Sequence, residues 1–432
     1  MSLLFKNATV VATENNEFKV LENAYLGVEG SVISYIGTDK PKKDFDFVQY
    51  MSGNILLPGF INCHGHSAMV LLRGLGSDLE LQSWLNLIWP IEDRMTEEDF
   101  KNCMKLAMLE MIASGTTSFS DMYMRPAYTK SAVEESGMKA NLTRVFMGGD
   151  ASTDYKSYPN RIEALDFFNN YNGAYDDRLR VDFSIHAEYT TCEHLVRDFA
   201  NEIRSIKGAR CHIHMSETKF EHEECIRKYG KTPAAWFNDL GLFDVSTYAA
   251  HCVWVTEGDM DIMKAKGVSA VHNPESNMKL GSGFAPIPRM LEKGLNVALG
   301  TDGAASNNNL NFMEEIHMAS VIHNGYNANA TIMKPEQVLK MATINGAKLQ
   351  GRDDTGSLEV GKKADIVAID TRAPHMFPNF NPLALVTYSA QASDVCMTMV
   401  NGKILYKDGE FLTLDKEKIL YENQKSVKRL LS

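Results

Sequence analysis

The chain has 432 residues, more than one hydrophobic core usually spans, so a large domain with a smaller companion is expected. Its composition, 44% hydrophobic and 23% charged, is that of an ordinary globular protein. Lys and Arg total 44 against 55 Asp and Glu, a formal charge of −11 without a basic cluster, which argues against nucleic acid or an anionic membrane as partner.

The first residues, "MSLLFKNATVVATENN", lack a basic segment followed by a long apolar run, so no signal peptide is expected. No stretch of about 18 apolar residues suggests a membrane span. Seven cysteines, an odd number without a C-x-x-C pair, fit a reducing cytoplasm. Residues 3–57 read as strands and turns, as in "NATVVAT" and "AYLGVEGSVISYIG".

From Ile55 to about Gly303 one phrase repeats: a short apolar run ends on polar residues and a helical segment follows. The runs are "NILLPGFINCHGH", "GTTSFSDMY", "KANLTRVFMGG", "RLRVDFSIHAE", "ARCHIHMSE", "STYAAHCVW", "GVSAVHNPESN" and "LNVALGTDGA". Between them lie helical patterns such as "EEDFKNCMKLAMLEMIASG" and "MDIMKAKG". Eight alternating units predict an α/β fold with a closed (β/α)8 TIM-type barrel. The glycine fingerprint of an open dinucleotide-binding sheet is missing. Residues 356–412 return to strands, with hairpin-turn signals at Asn401-Gly402 and Asp408-Gly409. "KEKILYENQKSVKRLL" reads as an amphipathic surface helix. We therefore expect a barrel over residues 58–359. Residues 1–57 and 360–432 should form a small β-sandwich domain from both termini, with the helix at the end.

Chemistry in such barrels sits at the C-terminal strand ends. On a strand, His64 and His66 share one face, and Gly65 between them would allow a close backbone approach. Two converging imidazoles are half a metal site, and on the pair alone a polar turn explains them equally well. The other strand ends add Asp121, Arg144, His186, Glu188, His214, Glu217, His251, His272 and Asp302. A rim this crowded with ligand-type groups points to a metal-dependent active site.

H-x-H after the first strand, H-x-x-E after the fifth, a histidine after the sixth and "TDGAASNN" after the eighth resemble the amidohydrolase superfamily. "LLPGFINCHGHSAMVLLRG", "IWPIEDRMTEED" and "HNPESNMKLGSGFAPIPRMLEKGLNVALGTDGAASNNNLN" are similar to its 5′-methylthioadenosine/S-adenosylhomocysteine deaminase family. The resemblance covers nearly the whole chain. It implies a metal-dependent hydrolytic deaminase acting on the 6-amino group of S-adenosylhomocysteine, 5′-methylthioadenosine and adenosine. A guanine-type or triazine-type hydrolase of the same scaffold is the rival.

The resemblance also implies roles. His64, His66, His214 and Asp302 match the ligands of one divalent metal, zinc first, with Fe2+ or Mn2+ as alternatives. Binuclear relatives carry a lysine at the end of the fourth strand; "RVDFSIHAE" has none, so one metal is expected. Glu217 matches the general acid/base, with a helix N-cap acid as its bland alternative. His251 and Asp302 would hold and deprotonate the water. Glu92 matches the carboxylate on the ribose hydroxyls, His186 an adenine contact, and Arg144 and Arg161 two substrate-contacting arginines. Trp84 would stack on the ligand or pack in the core, and His272 would position a loop. The expected partner is a small purine nucleoside, with a homo-oligomer left open because the sequence does not give the oligomeric state.

Overall fold

The computed structural model describes residues 2–77, 79 and 81–431, with the backbone alone at 81 and 82. Five strands open the chain: β1 (Ser2–Glu14), β2 (Glu17–Glu29), β3 (Val32–Gly37), β4 (Phe47–Tyr50) and β5 (Asn54–Pro58). Eight form the second sheet: β6 (Phe60–Asn62), β7 (Thr116–Tyr123), β8 (Lys139–Phe146), β9 (Leu179–Ile185), β10 (Arg210–Met215), β11 (Ser246–His251), β12 (Ser269–His272) and β13 (Val297–Leu299). Four finish the first: β14 (Ile366–Asp370), β15 (Val395–Val400), β16 (Lys403–Lys407) and β17 (Glu410–Phe411).

Strands β6 to β13 pair in parallel in sequence order. The ends of β6 and β13 meet where Cys63 N–H donates to Leu299 O (2.9 Å) and Asp302 N–H to His64 O (3.0 Å), which closes the (β/α)8 barrel. Helices cover it outside. The helix Glu193–Arg204 buries Leu195, Val196, Phe199, Ala200 and Ile203, one apolar stripe at helical spacing. Capping boxes start the helices at Thr96, Thr218 and Thr256, each closed by an acid three residues on.

The other nine strands make one mixed sheet, ordered β17-β16-β15-β14-β5-β1-β2-β3 with β4 beside β1. Both termini thus contribute to one core that includes Phe5, Val10, Leu26, Leu56, Ile366 and Met399. Asn401-Gly402 and Asp408-Gly409 take positive φ and turn the two hairpins. The C-terminal helix Lys416–Leu431 buries Ile419, Asn423, Ser426 and Leu430 and packs on Glu97–Ala113. Among the described residues no helix is long and apolar enough to cross a membrane.

One expectation is corrected. The run from Ile55 to Ile61 is two strands in two sheets. β5 pairs with β1 and β14, and only β6 enters the barrel. The break is at Gly59, whose N–H donates to Asp365 O (3.0 Å) and where a Cβ would lie 2.2 Å from Thr117.

Candidate active site

His64 and His66 follow β6, His214 lies on β10, and Asp302 follows β13, so three strand ends bring four donor side chains together. Ser216, His251 and Asp302 have φ values of 51°, 71° and 63°. Backbone in this region is costly for residues other than glycine and collects at functional sites. Cys252 N–H donates to Met215 O (3.1 Å) and Trp254 N–H to Ser216 O (2.9 Å), which holds these turns. The close approach expected at Gly65 occurs at Gly300 instead. A Cβ at Gly300 would sit 2.9 Å from His64, whereas one at Gly65 would meet its nearest atom at 3.5 Å.

Hydrogen bonds set the tautomers. His66 Nδ1–H donates to Met122 O (2.7 Å) and His214 Nδ1–H to His186 O (2.8 Å). Carbonyls only accept, so each Nε2 carries a lone pair. Those two Nε2 atoms lie 3.3 Å apart. Asp302 Oδ1 lies 3.3 Å from both His64 Nε2 and His66 Nε2. Its Oδ2 accepts from Ser276 Oγ and Ser306 Oγ, each at 2.7 Å. Burial pushes the His64 pKa down to about 3 and holds His214 well below the usual imidazole range, so both rings are neutral.

Four electron-pair donors therefore converge. Bare lone pairs at such spacing repel, and His64 Nε2 is fully buried without a hydrogen-bond partner. A divalent cation resolves both problems. Tetrahedral ligands at about 2.0–2.1 Å from a metal lie roughly 3.3 Å from one another, and 3.3 Å is the spacing of these contacts. The donor set fits one divalent metal. Behind it, His64 Nδ1 meets His212 Nε2 at 2.8 Å, an outer contact that the sequence did not single out.

Glu217 and His251 sit beside this centre, with His251 Nε2 3.9 Å from Glu217 Oε2 and His251 Nδ1 2.9 Å from Asn277 Oδ1. His251 also lies within 4.8 Å of His64 and Asp302 through its ring nitrogen. Burial pushes the Glu217 carboxyl above its usual range. Burial alone would lower the His251 pKa, but Glu217 and Asp302 raise it. The Glu217 backbone N–H donates to Glu221 Oε2 (2.8 Å), so the acid that closes the Thr218 capping box is Glu221 and the Glu217 carboxyl is left to the cavity.

A cavity open at its mouth contains His66, His214, Glu217, His251 and Asp302 in its wall. His186 lines it too, and burial pushes its pKa down to about 4. Trp84 and Trp89, on the helix Leu81–Glu92, cover one side with Glu92. Glu92 is 4% exposed and accepts from the Tyr123 hydroxyl. Burial lifts the Glu92 pKa to about 7, against the lowering effect of Tyr123. Tyr123 is a site residue that the sequence reading missed. It lies two residues beyond Asp121 on the same face of β7, the one signal available. Asp121 itself is structural and accepts from Ser67 N–H (2.6 Å). His272 pairs with His323, Nε2 to Nε2 at 3.0 Å, away from the cavity wall.

Arg144 and Arg161 do not line the cavity. On β8, Val145 faces it, so Arg144 faces out and bonds Glu163 (2.5 Å), Asn160 (2.6 Å) and Val145 O (2.6 Å). Arg161, on the helix Pro159–Tyr171, pairs with Glu202 through two nitrogens and stacks over Tyr155 at 5.2 Å. In this structure both expected substrate arginines are paired with neighbouring acids, outside the cavity wall.

The amidohydrolase family model matches residues 55–405. This chain belongs to the amidohydrolase family. The 5-methylthioadenosine/S-adenosylhomocysteine deaminase of Thermoanaerobacter pseudethanolicus is 43% identical over 100% of both chains. The 5′-deoxyadenosine deaminase of Methanosarcina mazei is 40% identical over 100% of this chain and 98% of its own. A solved adenosine deaminase from Xanthomonas campestris with bound zinc superposes with a TM-score of 0.92 at 29% identity, covering 99% of this amidohydrolase and 98% of that chain.

Proposed function

We propose that this amidohydrolase hydrolytically removes the 6-amino group of adenosine-type nucleosides, among them S-adenosylhomocysteine, 5′-methylthioadenosine and adenosine, giving the inosyl product and ammonia. The observation that carries this reading is the buried Glu92 carboxylate in the same cavity as the four converging donors. A free base or a triazine has no vicinal hydroxyls for such a group to hold. The names of the relatives point the same way.

His64, His66, His214 and Asp302 would hold the metal. Zinc is our assignment, from three imidazoles with one carboxylate and from the zinc of the Xanthomonas structure. When bound, the metal would supply water activated for attack at neutral pH, its pKa lowered from about 15.7 towards 7. Hydrolysis joins a water oxygen to C6 and breaks C6–N6. Asp302, oriented by Ser276 and Ser306, takes the water's proton, and His251, fixed by Asn277, steadies it. Glu217, whose carboxyl burial pushes above its usual range, gives a proton to ring N1; proton transfer to N6 then frees ammonia. His186, whose carbonyl holds the His214 ring, contacts the purine.

Glu92 takes the ribose hydroxyls. Tyr123 occupies one of its oxygens, leaving acceptor capacity for two charge-assisted bonds. Losing such contacts costs about 1.5–3 kcal/mol. Glu92→Ala should lower kcat/KM for nucleosides by roughly 10- to 100-fold, read as ammonia release, with little effect on 2′,3′-dideoxyadenosine. An equal fall on both would mean that Glu92 only supports its loop. Because the Glu92 pKa stands at about 7, KM should rise as the pH falls through that value, a limb that Glu92→Ala removes. If guanine or free adenine proves the better wild-type substrate, the nucleoside reading fails.

A further inference from the structure

Two serine hydroxyls grip one oxygen of Asp302, and they come from different segments. Ser276 belongs to the short helix Pro274–Lys279 that follows β12, and Ser306 to the loop that follows β13. Both donate to Asp302 Oδ2 at 2.7 Å. A third side chain joins the two segments. Glu315 is fully buried in the first turn of the helix Phe312–Tyr326. Its Oε2 accepts from the Glu275 N–H (3.3 Å) and its Oε1 from Asn307 Nδ2–H (3.3 Å). Glu275 directly precedes Ser276, and Asn307 directly follows Ser306. Asn307 Nδ2 also donates to Thr301 O, on the residue before Asp302, while its Oδ1 accepts from Asn309 N–H (3.2 Å). Glu314 shares that first turn, and its carboxylate accepts from Asn309 and Asn311 nearer the surface. Those bonds and the helix dipole account for an acid there. They do not account for Glu315, whose burial is costly and raises its pKa against the pull of its two donors.

We propose that Glu315 is a positioning residue for Asp302. Its two oxygens clamp the segments after β12 and β13, so that Ser276 and Ser306 hold Oδ2 and leave Oδ1 at 3.3 Å from the His64 and His66 Nε2 atoms. This rests on the metal and proton roles given to Asp302 above. The φ of 63° at Asp302 is costly and persists only where the surroundings over-determine it. The clamp also reaches His251, because Asn277, next to Ser276, bonds its Nδ1 at 2.9 Å. Glu92 and His186 stand on other elements, the helix Leu81–Glu92 and the end of β9. The clamp therefore bears on metal and proton, and little on substrate binding.

Glu315→Gln keeps the volume but turns an amide N–H towards one of two donors. It should weaken Zn2+ binding, read by competition with a chromophoric chelator, by about 10–100-fold, the usual cost of losing support behind a metal ligand. With Zn2+ saturating, kcat should fall by a similar factor while KM stays within a few-fold. Glu314→Gln should change neither. The pair Ser276→Ala/Ser306→Ala should itself lower both, and adding Glu315→Gln to it should cost little more, because residues acting through one contact are not additive. If far-UV circular dichroism shows Glu315→Gln unfolded, Asn307→Ser cuts one arm of the clamp and should show the same split of kcat from KM. Wild-type Zn2+ affinity and kcat in the folded variant, a change in KM alone, or full additivity with the serine pair overturns the inference. A wild type that binds Zn2+ but deaminates no nucleoside overturns the reading beneath it, and the Zn2+ titrations then decide the clamp by themselves.

Discussion

Glu217→Gln should keep its metal and lose about 10²–10⁴ in kcat, the usual worth of a positioned acid/base, or roughly 3–5 kcal/mol. Three observations separate this effect from misfolding. The Glu217 carboxyl is not one of the four donors that converge at 3.3 Å. Its turn is held through backbone N–H groups, with Ser216 and Glu217 both donating to Glu221 at 2.8 Å, and an amide side chain leaves those bonds in place. Glutamine also fills nearly the same volume, so no cavity opens. What it lacks is a proton to give. Burial raises the pKa of this carboxyl and so favours its protonated form relative to an exposed glutamate. Metal analysis beside steady-state assays checks the expectation. Turnover within a few-fold of wild type with metal bound would make Glu217 a structural residue.

The features legible in the sequence are those written in local pattern. Apolar runs ending in polar residues gave the barrel and its rim, and two-residue spacing put His64 and His66 together. Less legible were features decided by neighbours far along the chain. Ile55–Leu57 and Phe60–Ile61 form one apolar stretch, and only the partners β14 and β7 assign them to different sheets. Arg144 sits at a strand end like its functional neighbours, but one residue of parity turns it towards Glu163. Tyr123 reaches Glu92 across 31 residues through side-chain geometry that no spacing rule encodes. The four converging donors escaped this limit because such a set needs residue types that are rare together, whereas an arginine finds a surface acid almost anywhere.

His64→Ala should abolish both metal retention and turnover, while the wild type holds one metal per chain. His64 is fully buried, and its Nε2 has no partner except the converging donors. Removing it takes one of three imidazoles, leaving His66, His214 and Asp302 with an open corner. Loss of an outer contact to a ligand typically costs about 10–100-fold in metal affinity. His212→Ala, which frees His64 Nδ1, should fall in that range. Loss of the ligand itself should exceed it, so that His64→Ala passes through a chelating column empty while His212→Ala retains part of its metal. Far-UV circular dichroism of both variants, and of wild type stripped and reloaded, separates site loss from unfolding. Two metals per active wild-type chain would sink the mononuclear assignment, since the end of β9 offers no lysine to bridge them. A His64→Ala protein that keeps stoichiometric metal and activity would show that His251, which shares the second donor group with His64 and Asp302, is the true fourth ligand.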